Sequence, residues 1–280
     1  VYVELPLVDE EGTSLLVWTT TPWTLPGNLA AAVNQEHKYA VVEVSDDEGK
    51  TKRLIVAKER VEAVFKDREH TVVEPRAGAD LVGKRYEPPF PYIKNLEVEG
   101  QENAWQVLHA DFVEIGEEGT GLVHIAPAYG EDDLSLAQEH NVPIVHHVDE
   151  AGHFMEFVTD FAGQLVKPKD DAEAEINHMD ADIENIRTLA KSDKLFAKEK
   201  ITHSYPHCWR CDTPLLNYST TSWFVEVTKM RNELVDNNRQ VSWVPEHVGT
   251  SRFGKWLEGA RDWAISRQRY WGAPLPIWRN

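Results

Sequence analysis

Cysteine is almost missing from this chain. Cys208 and Cys211 are the only two among 280 residues, spaced C-x-x-C in Cys208-Trp209-Arg210-Cys211. A disulfide framework is therefore excluded, and a reducing cytoplasm is the expected compartment. No run of about 18 apolar residues is present, so no membrane partner is expected. The start, Val1-Tyr2-Val3-Glu4, has neither the basic nor the apolar part of a secretion signal. Positive charge is also scarce: 29 Lys and Arg face 47 Asp and Glu, a formal net charge of −18. That balance excludes a broad electrostatic grip on nucleic acid, because binding to the phosphate backbone works through Lys and Arg displacing counterions. The shortage is uneven. Residues 1–200 hold 40 acids and 19 bases, whereas residues 201–280 hold 7 acids and 10 bases together with seven of the ten tryptophans. A step of this kind places a domain boundary near 200–205, dividing the chain into 1-203 and 204-280.

What the chain does contain is enough sequence to bury a core without staples. Val1 to Val8, Leu15 to Thr20, Tyr39 to Val44, Arg53 to Ala57 and Leu122 to Ala126 are rich in Val, Ile, Thr or aromatics and read as strands. Ser45 to Gly49 reads as a hairpin turn, and Pro88-Pro89-Phe90-Pro91 excludes helix locally. Helices are expected over Lys58 to Phe65, Asp132 to His140 and Ala172 to Phe196, the last from apolar residues at Ile176, Met179, Ile183, Ile186 and Leu189. The fold class expected is α+β, mainly β and barrel-like with flanking helices. The tail reads as smaller and mixed α/β: a strand at Ser222 to Val227, helices at Thr228 to Asn237 and Gly249 to Ala260. Its tryptophans read most simply as core or interface packing.

One string stands out, Gly119-Thr120-Gly121-Leu122-Val123-His124-Ile125-Ala126-Pro127-Ala128-Tyr129-Gly130-Glu131-Asp132-Asp133. Glycines sit where a backbone turns or closely approaches a ligand, and three acids follow at a helix start. A hundred residues earlier stands Trp18-Thr19-Thr20-Thr21-Pro22-Trp23-Thr24-Leu25-Pro26-Gly27-Asn28. Near the end comes Trp263-Ala264-Ile265-Ser266-Arg267-Gln268-Arg269-Tyr270-Trp271-Gly272, and between them Ser204-Tyr205-Pro206-His207-Cys208-Trp209-Arg210-Cys211. In this order the four motifs resemble the inner part of the class I isoleucyl-tRNA synthetases, centred on the editing domain and its return toward the nucleotide-binding domain. His124 and the threonine string favour the isoleucine enzymes over the valine and leucine ones. Neither an H-I-G-H-like nor a K-M-S-K-S-like segment occurs, so the chain is expected to be a piece of a longer enzyme, without ligase activity of its own.

The resemblance implies hydrolysis of valine mischarged onto the isoleucine tRNA, with the tRNA 3′ acceptor end and the remainder of the synthetase as partners. It implies Asp133 as the catalytic residue that anchors the substrate's α-ammonium, for which a carboxylate is suited by charge-assisted hydrogen bonding. Its neighbours Glu131 and Asp132 serve equally well as first-turn acids favoured by the helix dipole. Thr20 is a second catalytic candidate. Thr19 and Thr21 would share a face if the strand ran on, and so line a pocket. His124 is expected as a wall against the substrate side chain, with a general-base role left open. Trp18, and with it Trp23, could stack on the terminal adenine or pack a core. Gly130, with Gly119 and Gly121, permits close backbone approach. Cys208 and Cys211 supply half of a tetrahedral thiolate site, with His203 or His207 as a further ligand. No cofactor is implied for editing, and a structural zinc is implied for the intact enzyme. Two other readings stay open: the editing region of a valyl- or leucyl-tRNA synthetase, and a non-catalytic module that binds the tRNA acceptor end.

Overall fold

A computed structural model describes the chain except residues 46–48, 50, 172–174, 203, 268–271 and 279–280. The hairpin turn expected at Ser45 to Gly49 lies largely outside the described residues, as do His203, Gln268 and Trp271. Two compact units are formed, Val1–Ser219 and Thr220–Asn280.

The first unit runs β1 (Tyr2–Pro6), β2 (Thr13–Trp18), β3 (Ala30–Val33), β4 (Lys38–Ser45), β5 (Thr51–Ala57), α1 (Val61–Val64), β6 (His70–Ala77), β7 (Gln106–His109), β8 (Val123–Ile125), α2 (Glu131–Glu139), α3 (Asp180–Lys191) and β9 (Leu195–Ala197). The strands join in one nine-stranded mixed sheet of order β6-β4-β5-β2-β8-β3-β7, with β1 paired to β2 and β9 to β1. This is the α+β, mainly β architecture expected. Strand β2 is its fork. One edge pairs antiparallel with β1 from Tyr2↔Trp18 to Pro6↔Ser14. The other edge is shared, β5 running parallel along Thr13–Leu15 and β8 meeting only Trp18 through Val123.

Because side chains alternate across a strand, the sheet buries both faces. Leu15, Val17, Val3, Leu5, Val41 and Ile55 enter the larger core, whereas Leu16, Tyr2, Val42, Leu54 and Val56 enter a smaller one with Phe65 and Phe196. Each such side chain, fully buried, contributes about 1.5–3 kcal/mol relative to exposure.

Two expected helices are corrected. Lys58 to Phe65 begins as a 3-10 turn, Lys58–Arg60, and only Val61–Val64 is α-helical. Within the segment Ala172 to Phe196, whose first three residues lie outside the described ones, the described helix is Asp180–Lys191. The Asp180 carboxylate accepts from Asn177 N–H, and Asn177 Oδ1 accepts from Met179 N–H, which orders the turn leading into the helix. At its end Asp193 takes a left-handed φ of 57°, and Leu195–Ala197 turns away as a strand against β1.

The second unit holds β10 (Phe224–Val225), α4 (Arg231–Gln240), α5 (His247–Thr250), α6 (Arg252–Glu258) and β11 (Trp263–Ala264), with β10 antiparallel to β11. Its tryptophans are not core residues as a group. Trp243 packs on Phe253 with ring centroids 5.0 Å apart, but Trp256, Trp263 and Trp278 are exposed, as is Trp209 of the first unit. The division after Ser219 falls beyond the charge step at 203/204. Tyr218 packs tilted against His146 with ring centroids 4.7 Å apart and Ser219 N–H donates to Ala128 O at 2.8 Å, tying this stretch to the first unit.

Candidate functional site

The threonine string leaves the sheet at the fork. Strand β2 ends at Trp18 rather than at Thr20, so alternation does not bring Thr19 and Thr21 together. A local turn does. Thr21 N–H donates to Thr19 Oγ1 at 3.1 Å, and the two hydroxyls lie 3.2 Å apart. Pro22 then opens a 3-10 turn, Pro22–Gly27, a position where its missing N–H leaves no bond unmade. Within that turn Thr24 Oγ1 donates to Thr21 O at 2.9 Å. Thr19 and Thr24 are buried, Thr21 is half-buried and Thr20 is exposed.

Opposite stands Asp133, in the first turn of α2. Ala126 N–H donates to its Oδ2 at 2.7 Å, and no cation among the described residues pairs with it. Burial pushes its carboxyl up to about 6; the Ala126 bond opposes this and the charge of Asp132 adds to it. Gly130 explains how the carboxylate fits. A Cβ there would lie 2.8 Å from Asp133 Cγ and 2.9 Å from Oδ1. Glu131 and Asp132 point to solvent in the same turn.

His124 projects from β8 into a fully satisfied network. Its Nε2 lies 2.9 Å from Thr24 Oγ1 and its Nδ1 2.9 Å from Asn28 Nδ2. Burial, with His147 nearby, lowers its pKa to about 3, so the ring is neutral near pH 7. Asn28 Nδ2 donates to Nδ1, and Thr24 has already sent its proton to Thr21 O, so Nε2 carries the ring proton. Both ring nitrogens are thus engaged, which weighs against the general-base option for His124.

These groups meet around one cavity of about 390 Å³. Trp18, Thr19, Thr20, Thr21, His124, Gly130 and Asp133 all line it, as do Thr24, Tyr129, Glu114 and Glu118, to which the sequence reading gave no role. Thr24 and Asn28 could have been found, since both belong to the threonine string. Glu114 and Glu118 carry no local signal. Among the described lining residues there is no serine, cysteine, lysine or arginine. Trp23 is not at the cavity. It is buried, edge-on to Tyr129 at 5.2 Å, which is the core-packing alternative of the two readings.

Cys208 and Cys211 lie in a tight turn closed by Cys208 N–H to Thr213 O and Asp212 N–H to Cys208 O, each 2.8 Å. Bonding with the Thr213 hydroxyl and N–H draws the Cys211 thiol down to about 7. His207 Nδ1 is taken by Asp212 O at 3.0 Å. Among the described residues no group of three or more metal-binding side chains forms. The pair thus supplies two donors and does not close a tetrahedral shell by itself.

A family model described as tRNA synthetases class I (I, L, M and V) matches residues 33–280. The isoleucine-tRNA ligase of Bdellovibrio bacteriovorus is 45% identical over 280 residues, covering 99% of this chain and 25% of the relative. That of Clostridium tetani is 43% identical over 277 residues, covering 99% and 24%. This chain therefore spans about a quarter of the length of the curated relatives it matches. Among solved structures, the P. knowlesi cytosolic leucyl-tRNA synthetase editing domain is 15% identical with a TM-score of 0.38, over 50% of this chain and 62% of that one. With the family match spanning most of its length, the chain belongs to the class I tRNA synthetases of the isoleucine, leucine, methionine and valine group.

Proposed function

We propose that this chain is the editing region of an isoleucyl-tRNA synthetase and hydrolyses valine from mischarged isoleucine tRNA. The observation that carries the reading is the half-buried Asp133 carboxylate, paired with no cation among the described residues, across a cavity that no described lysine or arginine lines. Such a cavity suits a small ligand with a cationic group. The α-ammonium of an aminoacyl ester meets that description. Asp133 holds the ammonium and so fixes the ester carbonyl. Thr19, Thr20 and Thr21 offer hydroxyls to the terminal ribose and to the attacking water. That water bonds to the carbonyl carbon, the bond to the ribose oxygen breaks, and the proton ends on that oxygen. No acyl-enzyme is invoked, since no serine or cysteine is among the described lining residues. Trp18 gives the adenine an aromatic face at the mouth.

The size limit belongs to His124 and Thr21. A synthetic pocket distinguishes isoleucine from valine by only ~1 to 3 kcal/mol, the standard illustration of how little one methylene is worth. A second, smaller pocket removes what the first lets through. Isoleucine-tRNA ligases at 43–45% identity favour the isoleucine reading over the valyl and leucyl ones. The partners are the acceptor end of the tRNA and the rest of the synthetase, in the cytoplasm. The test is deacylation of Val-tRNA by the purified chain. Turnover of Val-tRNA with Ile-tRNA spared supports the reading, and binding without turnover leaves a docking module instead.

Editing itself needs no cofactor in this reading. In the longer enzyme Cys208 and Cys211 would share a structural zinc with ligands from elsewhere, and the isolated chain should hold well under one zinc per molecule after dialysis. Metal analysis decides it: one tightly held zinc, lost on Cys208→Ser, would mean that local groups complete the shell.

A further inference from the structure

Behind the cavity a line of buried hydrogen bonds has a single direction. Tyr86, 2% exposed, donates from its hydroxyl to Asn28 Oδ1 at 2.8 Å. Asn28 Nδ2 donates to Ala30 O at 3.0 Å and to His124 Nδ1 at 2.9 Å. His124 Nε2–H donates to Thr24 Oγ1, and Thr24 donates to Thr21 O. Every hydrogen in this line is given once in this sense. Reversal is opposed at its inner end. A flipped Asn28 amide would strand the Tyr86 proton and set Asn28 Oδ1 against Ala30 O.

We propose that Tyr86 is a positioning residue that, through Asn28, locks His124 as the Nε2–H tautomer and thereby fixes which way the cavity hydroxyls point. Thr24, having given its proton to Thr21 O, turns a lone pair toward the Thr21 hydroxyl 3.4 Å away. Thr19 Oγ1 already accepts from Thr21 N–H, so its own proton is free for Thr21 Oγ1. Thr21 then donates inward and keeps a lone pair for the cavity. Across from Asp133, Thr19 and Thr21 are thus left as acceptors with one lone pair each. Acceptors are what an attacking water and a ribose hydroxyl require. The functional half of this inference rests on the editing reading, while the tautomer stands independently of it.

The experiment uses Tyr86→Phe, which keeps the ring and removes only the hydroxyl. In that variant Asn28 Oδ1 loses its donor, and an unmet buried acceptor weakens the preference for one amide orientation. Nitrogen-15 NMR of labelled histidine, with His124 assigned by its loss in His124→Gln, reads the tautomer directly. The expected wild-type spectrum has Nδ1 unprotonated and Nε2 protonated. Tyr86→Phe should show averaging between tautomers and a kcat for Val-tRNA deacylation lower by roughly two- to tenfold, the worth of one neutral hydrogen bond, with KM unchanged. A wild-type His124 protonated on Nδ1 overturns the proposal even if the variant does not fold. So does a variant spectrum identical to wild type, or a shifted tautomer with unaltered kcat. A wild-type chain that deacylates nothing refutes the editing reading, and the tautomer arms still decide the lock.

Discussion

At the scale of single residues, the two neighbouring aspartates separate a role in chemistry from a role in helix formation. Asp133 is half-buried, bonded to Ala126 N–H and without a cation partner among the described residues, whereas Asp132 is exposed in the same turn. Asp133→Ala should remove most deacylation of Val-tRNA while Asp132→Ala leaves it within a few-fold of wild type. Equal effects of the two would sink the ammonium-anchor role. Only the ionised carboxylate pairs with a cation, so the rate should rise as pH increases through about 6, where burial places the Asp133 carboxyl. A rate flat from pH 5 to 7 would argue against it. His124 makes a different forecast. As a neutral wall it should exclude isoleucine by bulk, so His124→Ala should raise hydrolysis of Ile-tRNA relative to Val-tRNA, by up to the ~1 to 3 kcal/mol of one methylene. A uniform loss on both esters would make it a support for Thr24 and nothing more.

The elements that hold these residues were unequally legible. Strands β4 and β5 carry the Val, Ile and Tyr content that strand propensity rewards, and both stand close to where the sequence places them. Strand β3 was invisible, since Ala30-Ala31-Ala32 has no strand preference of its own. It is a strand because it lies between β7 and β8 with every side chain buried. The helix expected over Ala172 to Phe196 failed at its end for a local reason, the left-handed turn at Asp193, which apolar spacing cannot show. The meeting of Thr19 with Thr21 was anticipated, but from strand alternation, and a side-chain turn is what achieves it. At this scale Gly130 gives the test. Its φ of −142° is open to any residue, so the reason for glycine is space, a Cβ lying 2.8 Å from Asp133 Cγ. Gly130→Ala should therefore displace the carboxylate and lower deacylation by tenfold or more, on the order of 1.4 kcal/mol, with the helical circular dichroism unchanged. Loss of the fold, or full activity, would contradict that reading.

Over the whole molecule, the groups that would serve editing are ones that folding does not favour. His124 and His147 are buried as neutral rings with pKa values lowered to about 3 and about 4, so their contribution to stability is lost as pH falls below the unfolded value of 6.5. Asp133 works in the opposite sense. Its folded pKa of about 6 lies above the ordinary 3.8, so the fold prefers the protonated form, and that preference is fully present below 3.8 and lost as pH rises through 6. An asparagine keeps the acceptor for Ala126 N–H and never has to ionise. Asp133→Asn should thus be more stable than wild type at pH 8, by on the order of 2 kcal/mol or about 5 °C in Tm, and should lose that advantage steadily between pH 6 and pH 4. Both histidines are common to the two proteins and cancel in the difference, so the comparison reads the carboxylate alone. The same variant should be nearly inactive on Val-tRNA, because a neutral amide cannot pair with the ammonium. Paired thermal melts from pH 4 to 8 check it. An asparagine variant no more stable than wild type at pH 8 would show that the carboxylate is not desolvated, and the cavity would then lack the unpaired charge on which its affinity for a cationic ester depends.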